Sequence, residues 1–125
     1  MISFRDLILV LSGSAIGGTA RYFCSVLVNR FNPGKWPWGT FGINLIGCLI
    51  IGMVYAIAIR FPEKGHSIKL LMATGFCGGY TTFSAFAYEN IQLLKQGEPV
   101  LSLLYISGSV ILGILFVWLG AQIIK

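Results

Sequence analysis

The sequence predicts an all-α membrane protein of four spanning helices per subunit, the third broken near mid-membrane. Three observations carry this prediction. The 125-residue chain is 56% hydrophobic and only 10% charged, whereas a soluble domain carries about 25% charged residues. Its mean hydropathy is +0.82, and four apolar stretches each reach the roughly 20 residues that a spanning helix needs. The third stretch, LLMATGFCGGYTTFSAFAY from Leu70 to Tyr88, has no charge but is interrupted by Gly78-Gly79 and followed by Thr81, Thr82 and Ser84.

The first stretch runs from Leu7 to Val28 with Arg21 as its only charge, predicting a helix over about 5–29. Arg5, the apolar run and Gly17-Gly18-Thr19-Ala20 mimic a cleaved signal peptide, but the apolar pattern resumes through Val28, which favours a retained helix. The second stretch, Trp38 to Ile59, predicts a helix over 38–60. The third predicts one over 68–89, and the last, Val100 to Ile124, one over 99–124. Pro33, Pro37, Pro62 and Pro99 fall in the proposed loops, as chain breakers should. Trp36, Trp38 and Tyr88 stand where interfacial aromatics are expected. The four helices make residues 1–125 a single transmembrane domain with no room for a soluble catalytic one.

The net charge is +5, but the basic residues do not cluster, so they are ordinary loop charges and no nucleic-acid partner is expected. With four spans, one side carries Arg5, Arg60, Lys64, Lys69 and Lys125, the other Arg30, Lys35 and Lys95. That bias is weak for orienting a chain, and such a protein is able to insert both ways round. Cys24, Cys48 and Cys77 lie on different apolar segments without metal or disulfide spacing. They read as small buried side chains. His66, the only histidine, sits in the polar second loop. No constellation supports nucleophilic catalysis or metal hydrolysis, so an enzyme is not expected.

Polar residues inside the spans are the functional signal. Arg21 costs a few kcal/mol at a helix centre, less if it snorkels. It reads either as a snorkelling or carbonyl-capping group or as the charge of a wet vestibule that attracts an anion. Asn44 and Thr40, four apart, share a helical face; they either bond another helix or line a pathway. Tyr105, Ser109 and Gly113 recur every four residues, combining close packing with two hydroxyls on one face. Asp6, Glu63, Glu89 and Glu98 are placed at ends or in loops, leaving no acid in the membrane. Proton-coupled pumps generally need such an acid, and cation pores need acids or rings of carbonyls. Donors without acids suggest an anion. Phe83 and Phe86 share a face with the interrupted helix; they either pack against lipid and helices or turn positive ring edges toward a narrow pore. The pathway candidates are thus Thr40, Asn44, Thr82, Phe83, Ser84, Phe86, Tyr105 and Ser109. The interruption also frees backbone carbonyls, which in hydrocarbon must meet protein, an ion or water.

The chain resembles the Fluc (CrcB) fluoride channels over essentially its full length. The matching residues are Gly17-Gly18 with Arg21-Tyr22, Gly39-Thr40 with Asn44 and Gly47, and the string Gly75-Phe76-Cys77-Gly78-Gly79-Tyr80-Thr81-Thr82-Phe83-Ser84-Ala85-Phe86. That string is highly specific; Ala85 departs from the Thr or Ser of many members. The resemblance implies an antiparallel, dual-topology homodimer with two fluoride pathways in the bacterial plasma or inner membrane. It implies Phe83 and Phe86 as pore-lining rings and Asn44 as a pore donor. It also implies a structural sodium ion, not transported, on the dimer axis, held by the backbone carbonyls of Gly78 and Thr81. Gly78 should then tolerate no side chain. The implied role is passive export of fluoride, conferring fluoride resistance. Two other readings stand beside it. A small four-helix proton-coupled multidrug or cation exporter would need an intramembrane Glu. A non-transporting assembly subunit would leave Asn44 and Arg21 unexplained.

Overall fold

The computed structural model describes residues 1–125 and is all-helical. Helices α1 (Phe4–Phe31), α2 (Trp38–Arg60) and α6 (Pro99–Ile123) are each long and apolar enough to cross a membrane. Between α2 and α6 the chain forms α3 (Pro62–Ile68), a π-helical stretch (Lys69–Cys77), α4 (Gly78–Tyr80) and α5 (Phe83–Lys95). Only 19 of 125 residues are buried, and large apolar side chains such as Leu11, Phe23, Leu103 and Ile114 point outward. An apolar exterior over a small interior is what a lipid solvent selects, and the chain is an all-α membrane protein.

Two expectations about the third segment need correction. Its helix begins at Pro62 rather than near residue 68, and it extends to Lys95 rather than 89. Pro62 and Pro99 occupy first helical turns instead of loops, where the missing N–H costs nothing because that donor has no intrahelical partner. His66 accordingly lies on α3 rather than in a loop; it remains exposed, with Nε2 3.2 Å from Asp6 Oδ2. The break also moves. Gly78 and Gly79 are helical, and the extended residues are Thr81 (φ −87°, ψ 157°) and Thr82 (φ −148°, ψ 116°).

Glycines set how closely the helices approach. A Cβ on Gly13 would lie 2.1 Å from Leu71 O, and one on Gly17 2.1 Å from Phe76 O. The widened π-helical backbone thus rests directly on α1. The second seam joins α2 to α6: a Cβ on Gly52 would meet Val117 O at 2.1 Å, and one on Gly120 would meet Leu49 O at 2.1 Å. Small residues permit such backbone contact where lipid offers no hydrophobic drive between helices. At one end of the bundle Arg5 Nη2 donates to Ser67 Oγ (3.1 Å) and Arg60 Nη1 to Ile124 O (3.2 Å), so both termini and the α2–α3 turn lie together. At the other end Lys35 Nζ pairs with Glu98 Oε1 at 2.5 Å. Between them Ser102 Oγ donates to Asn90 Oδ1 (2.8 Å) and fastens α5 to α6.

Candidate functional site

The break is built by side chains that replace its missing helical bonds. In a continuous α-helix the Thr82 N–H would bond Gly78 O; instead it donates to Asn44 Oδ1 at 2.9 Å. The Ala85 N–H, which would bond Thr81 O, donates to Thr82 Oγ1 at 3.2 Å and caps α5. Asn44 Nδ2 donates in turn to Thr82 O at 3.1 Å. Asn44 therefore grips both polar groups of the Thr82 backbone while retaining one N–H of its two. On the opposite side Arg21 Nε donates to Gly79 O at 3.0 Å. Of the two sequence readings of Arg21, carbonyl capping is the one whose contact is formed.

Beside the break lies an open groove of about 390 Å³. Its walls include Asn44, Gly78, Thr81, Thr82, Phe83, Phe86 and Ser109. It thus gathers five of the eight pathway candidates, together with both residues assigned to a cation. The Phe83 and Phe86 rings stand 5.7 Å apart. Phe86 meets the Tyr105 ring edge-to-face at 4.9 Å. Ser84 is exposed, with its Oγ 3.2 Å from Thr82 Oγ1.

Thr40 and Tyr105 do not line the groove. Both hydroxyls donate to the Glu89 carboxylate, Thr40 to Oε1 and Tyr105 to Oε2 (2.8 Å for Tyr105). The expectation that every acid sits at an end or in a loop is therefore wrong for Glu89. Helix α5 runs on past it, so Glu89 is half-buried, facing the fully buried Tyr105. The signal was present in the spacing. Glu89 stands three residues after Phe86, as Thr40 and Tyr105 stand four before Asn44 and Ser109, so all three occupy the same relative turn.

This layout of a clamped break, a donor-lined groove and paired rings covers the residues that the CrcB-like protein, Camphor Resistance (CrcB) family model matches, 8–121. The chain belongs to the CrcB family. It is 46% identical over 121 residues to a protein of Leptospira interrogans serogroup Icterohaemorrhagiae named fluoride-specific ion channel FluC, covering 97% of this chain and 95% of that one. A protein of the same name from Phocaeicola vulgatus is 41% identical, covering 93% and 95%. Another from Chlorobium phaeobacteroides is 40% identical, covering 98% and 94%. CrcB-family membership and the spanning helices make this a multi-pass membrane protein.

Proposed function

We propose that this chain is a fluoride-selective channel that carries the ion passively across the membrane and so exports it from the cell. The observation that carries the reading is the groove at the break, where an Asn44 amide N–H, the Ser109 hydroxyl and the Phe83–Phe86 rings face one space without a carboxylate among them. Fluoride holds water strongly, so a pore must offer donors in its place. The amide supplies one, the hydroxyls of Thr82, Ser84 and Ser109 supply more, and the positive edges of Phe83 and Phe86 complete an anion-favouring wall. Thr40 and Tyr105 would act farther along, through the Glu89 contact. Arg21 keeps guanidinium donors beyond the one on Gly79 for an anion in a vestibule.

The pathway needs a second wall, since the Phe83 ring is 79% exposed on a single chain. An antiparallel second copy would supply it, and the weak bias of loop charges permits opposite insertion. The residues at the break also fit a structural sodium ion. The carbonyls of Gly78 and Thr81 both lose their helical donors, and no acidic, His or Cys cluster stands by to recruit a divalent metal. One chain offers too few carbonyls for a cage, so Gly78 and Thr81 of two copies would share it; when bound, the ion supplies charge to otherwise unpaired oxygens.

The exporter alternative would use an intramembrane carboxylate to bind and release protons. Glu89 is such a group by position, but both its oxygens are engaged by hydroxyls, and the named relatives are channels. The deciding experiment is fluoride efflux from proteoliposomes holding the purified chain. Efflux without a proton gradient and without matching chloride efflux is expected. Flux that appears only with a proton gradient would favour the exporter, and no flux at all would leave an assembly subunit.

A further inference from the structure

One buried side-chain polar atom of the chain has no hydrogen-bond partner: the indole Nε1 of Trp36. An indole N–H is a donor and nothing else, so only an acceptor can satisfy it. Buried polar atoms are nearly always paired in folded proteins, and an exception calls for a physical cause. A tryptophan at a membrane boundary ordinarily reaches the lipid headgroups. That cause fails here, because Nε1 is already covered within a single chain. The ring sits in a cluster with Trp38 and Phe41, at centroid distances of 5.9 and 5.3 Å.

Its location is informative. Trp36 packs edge-on against Tyr105 at 5.5 Å, and Tyr105 packs on Phe86, whose other side faces the groove at the break. Its chain neighbours Lys35 and Pro37 line a different cavity, of about 330 Å³, that is polar and reaches Glu89, Gln92 and Gln96. The unpaired donor thus stands on the row of rings that links the two cavities. The nearby hydroxyls of Thr40 and Tyr105 are both directed to Glu89.

We infer that the Trp36 indole N–H is a hydrogen-bond donor to the permeating anion, a subsite between the Lys35–Glu98 mouth and the Phe86–Tyr105 pair. The inference rests on the fluoride reading above. A donor-only group surrounded by aromatic rings has nothing to offer a cation, and a small anion can use the N–H together with neighbouring ring edges. Glu89 opposes an anion, but its oxygens each accept a hydroxyl, which disperses their charge. Lys35, held at the mouth by Glu98 at 2.5 Å, places a positive group on the same cavity.

The test uses the full chain in lipid nanodiscs with 15N-labelled tryptophan. Three indole signals are expected, from Trp36, Trp38 and Trp118, and Trp36→Phe identifies the first by its loss. On titration with sodium fluoride against sodium chloride, the Trp36 signal should move downfield and saturate while the other two hold still. In proteoliposomes Trp36→Phe keeps a ring in the cluster but removes the donor. Its fluoride efflux should fall about tenfold or more, the worth of one hydrogen bond to a charged group. A Trp36 signal indifferent to fluoride, exchanging with water alone, would overturn the inference, as would wild-type efflux in Trp36→Phe. If Trp36→Phe fails to fold, the titration of the native chain still decides. Absence of fluoride flux through the native chain would instead sink the channel reading itself, so the two failures are separable.

Discussion

Two faces of the broken third segment differ sharply, although adjacent glycines present them. Toward α1, Gly79 is wedged: a Cβ there would meet Ser14 O at 2.7 Å, and its carbonyl is capped by Arg21. Toward the groove, Gly78 is open, with Ala73 O at 3.8 Å the nearest atom to a Cβ. One glycine serves the fold of the single chain. The other has no intrachain reason to be glycine, so its cause must lie with an ion or a second copy. The same residue type at consecutive positions therefore answers to different forces, and only packing tells them apart.

The contrast is most easily broken on the α1 side. Gly17→Val would drive a branched side chain into the Phe76 carbonyl, 2.1 Å from the Cβ position; overpacking of this kind costs about 3 kcal/mol or more where backbone must move. Loss of the folded species in detergent, read by size-exclusion and thermal melting, is the expected outcome. Survival of a native melt would mean that the seam is looser than drawn.

Asn44 touches both faces of the argument, so its variants sharpen it. Asn44→Ala removes both bonds to Thr82, about 2 kcal/mol at roughly 1 kcal/mol each, and should nearly abolish fluoride efflux. Asn44→Asp retains the acceptor for the Thr82 N–H but brings a negative charge and no donor. The aspartate variant should melt closer to wild type than the alanine variant while conducting no better. Equal conduction by Asn44→Asp and wild type would confine Asn44 to holding the break.

On the groove side, Phe86→Ile and Phe83→Ile keep bulk and remove the positive ring edge. Phe86 also forms the edge-to-face pair with Tyr105, a geometry worth about 0.5–1.5 kcal/mol, so its replacement should lower both efflux and melting temperature. Phe83, being exposed, should lower efflux alone. Unchanged efflux in both would leave the rings as packing.

The smallest effect on the chain itself is expected from Gly78→Ala. With ordinary space around the new methyl, single-chain stability should shift by about 0.5 kcal/mol or less, in the range of neutral substitutions. Dimer dissociation measured in sodium and in a large organic cation is the informative readout. A dimer weakened by Gly78→Ala, and by sodium removal in the native chain, fits a shared site at the break. Indifference to both would leave the Gly78 and Thr81 carbonyls to water.

Much of this was legible in the sequence because lipid makes the rules strict. Four apolar stretches, glycine seams and a polar interruption each follow from the demand that backbone groups be paired in hydrocarbon. What was not legible arose from residues far apart in sequence. The break could not be placed at Thr81–Thr82 from glycine content, since Asn44, 38 positions away, takes the Thr82 bond and so decides where the helix ends. Glu89 looked terminal because hydropathy falls there, yet α5 continues and the Thr40 and Tyr105 hydroxyls draw its carboxylate inward. Trp36 looked interfacial because it stands in a loop; the ring cluster that buries its N–H comes from three helices or turns at once.

The π-helical stretch has a consequence for how this gene can change. A π turn takes in one more residue than the α-helical bond pattern allows, so Lys69–Cys77 behaves as a length insertion locked into a helix. Deleting a single residue there would let ordinary α-helix re-form, yet everything downstream would swing by about 100° per residue removed. Thr82 would then turn away from Asn44, and Phe83 and Phe86 away from their groove. Substitution can drift within this stretch, whereas its residue count is a ratchet that permits no single step back.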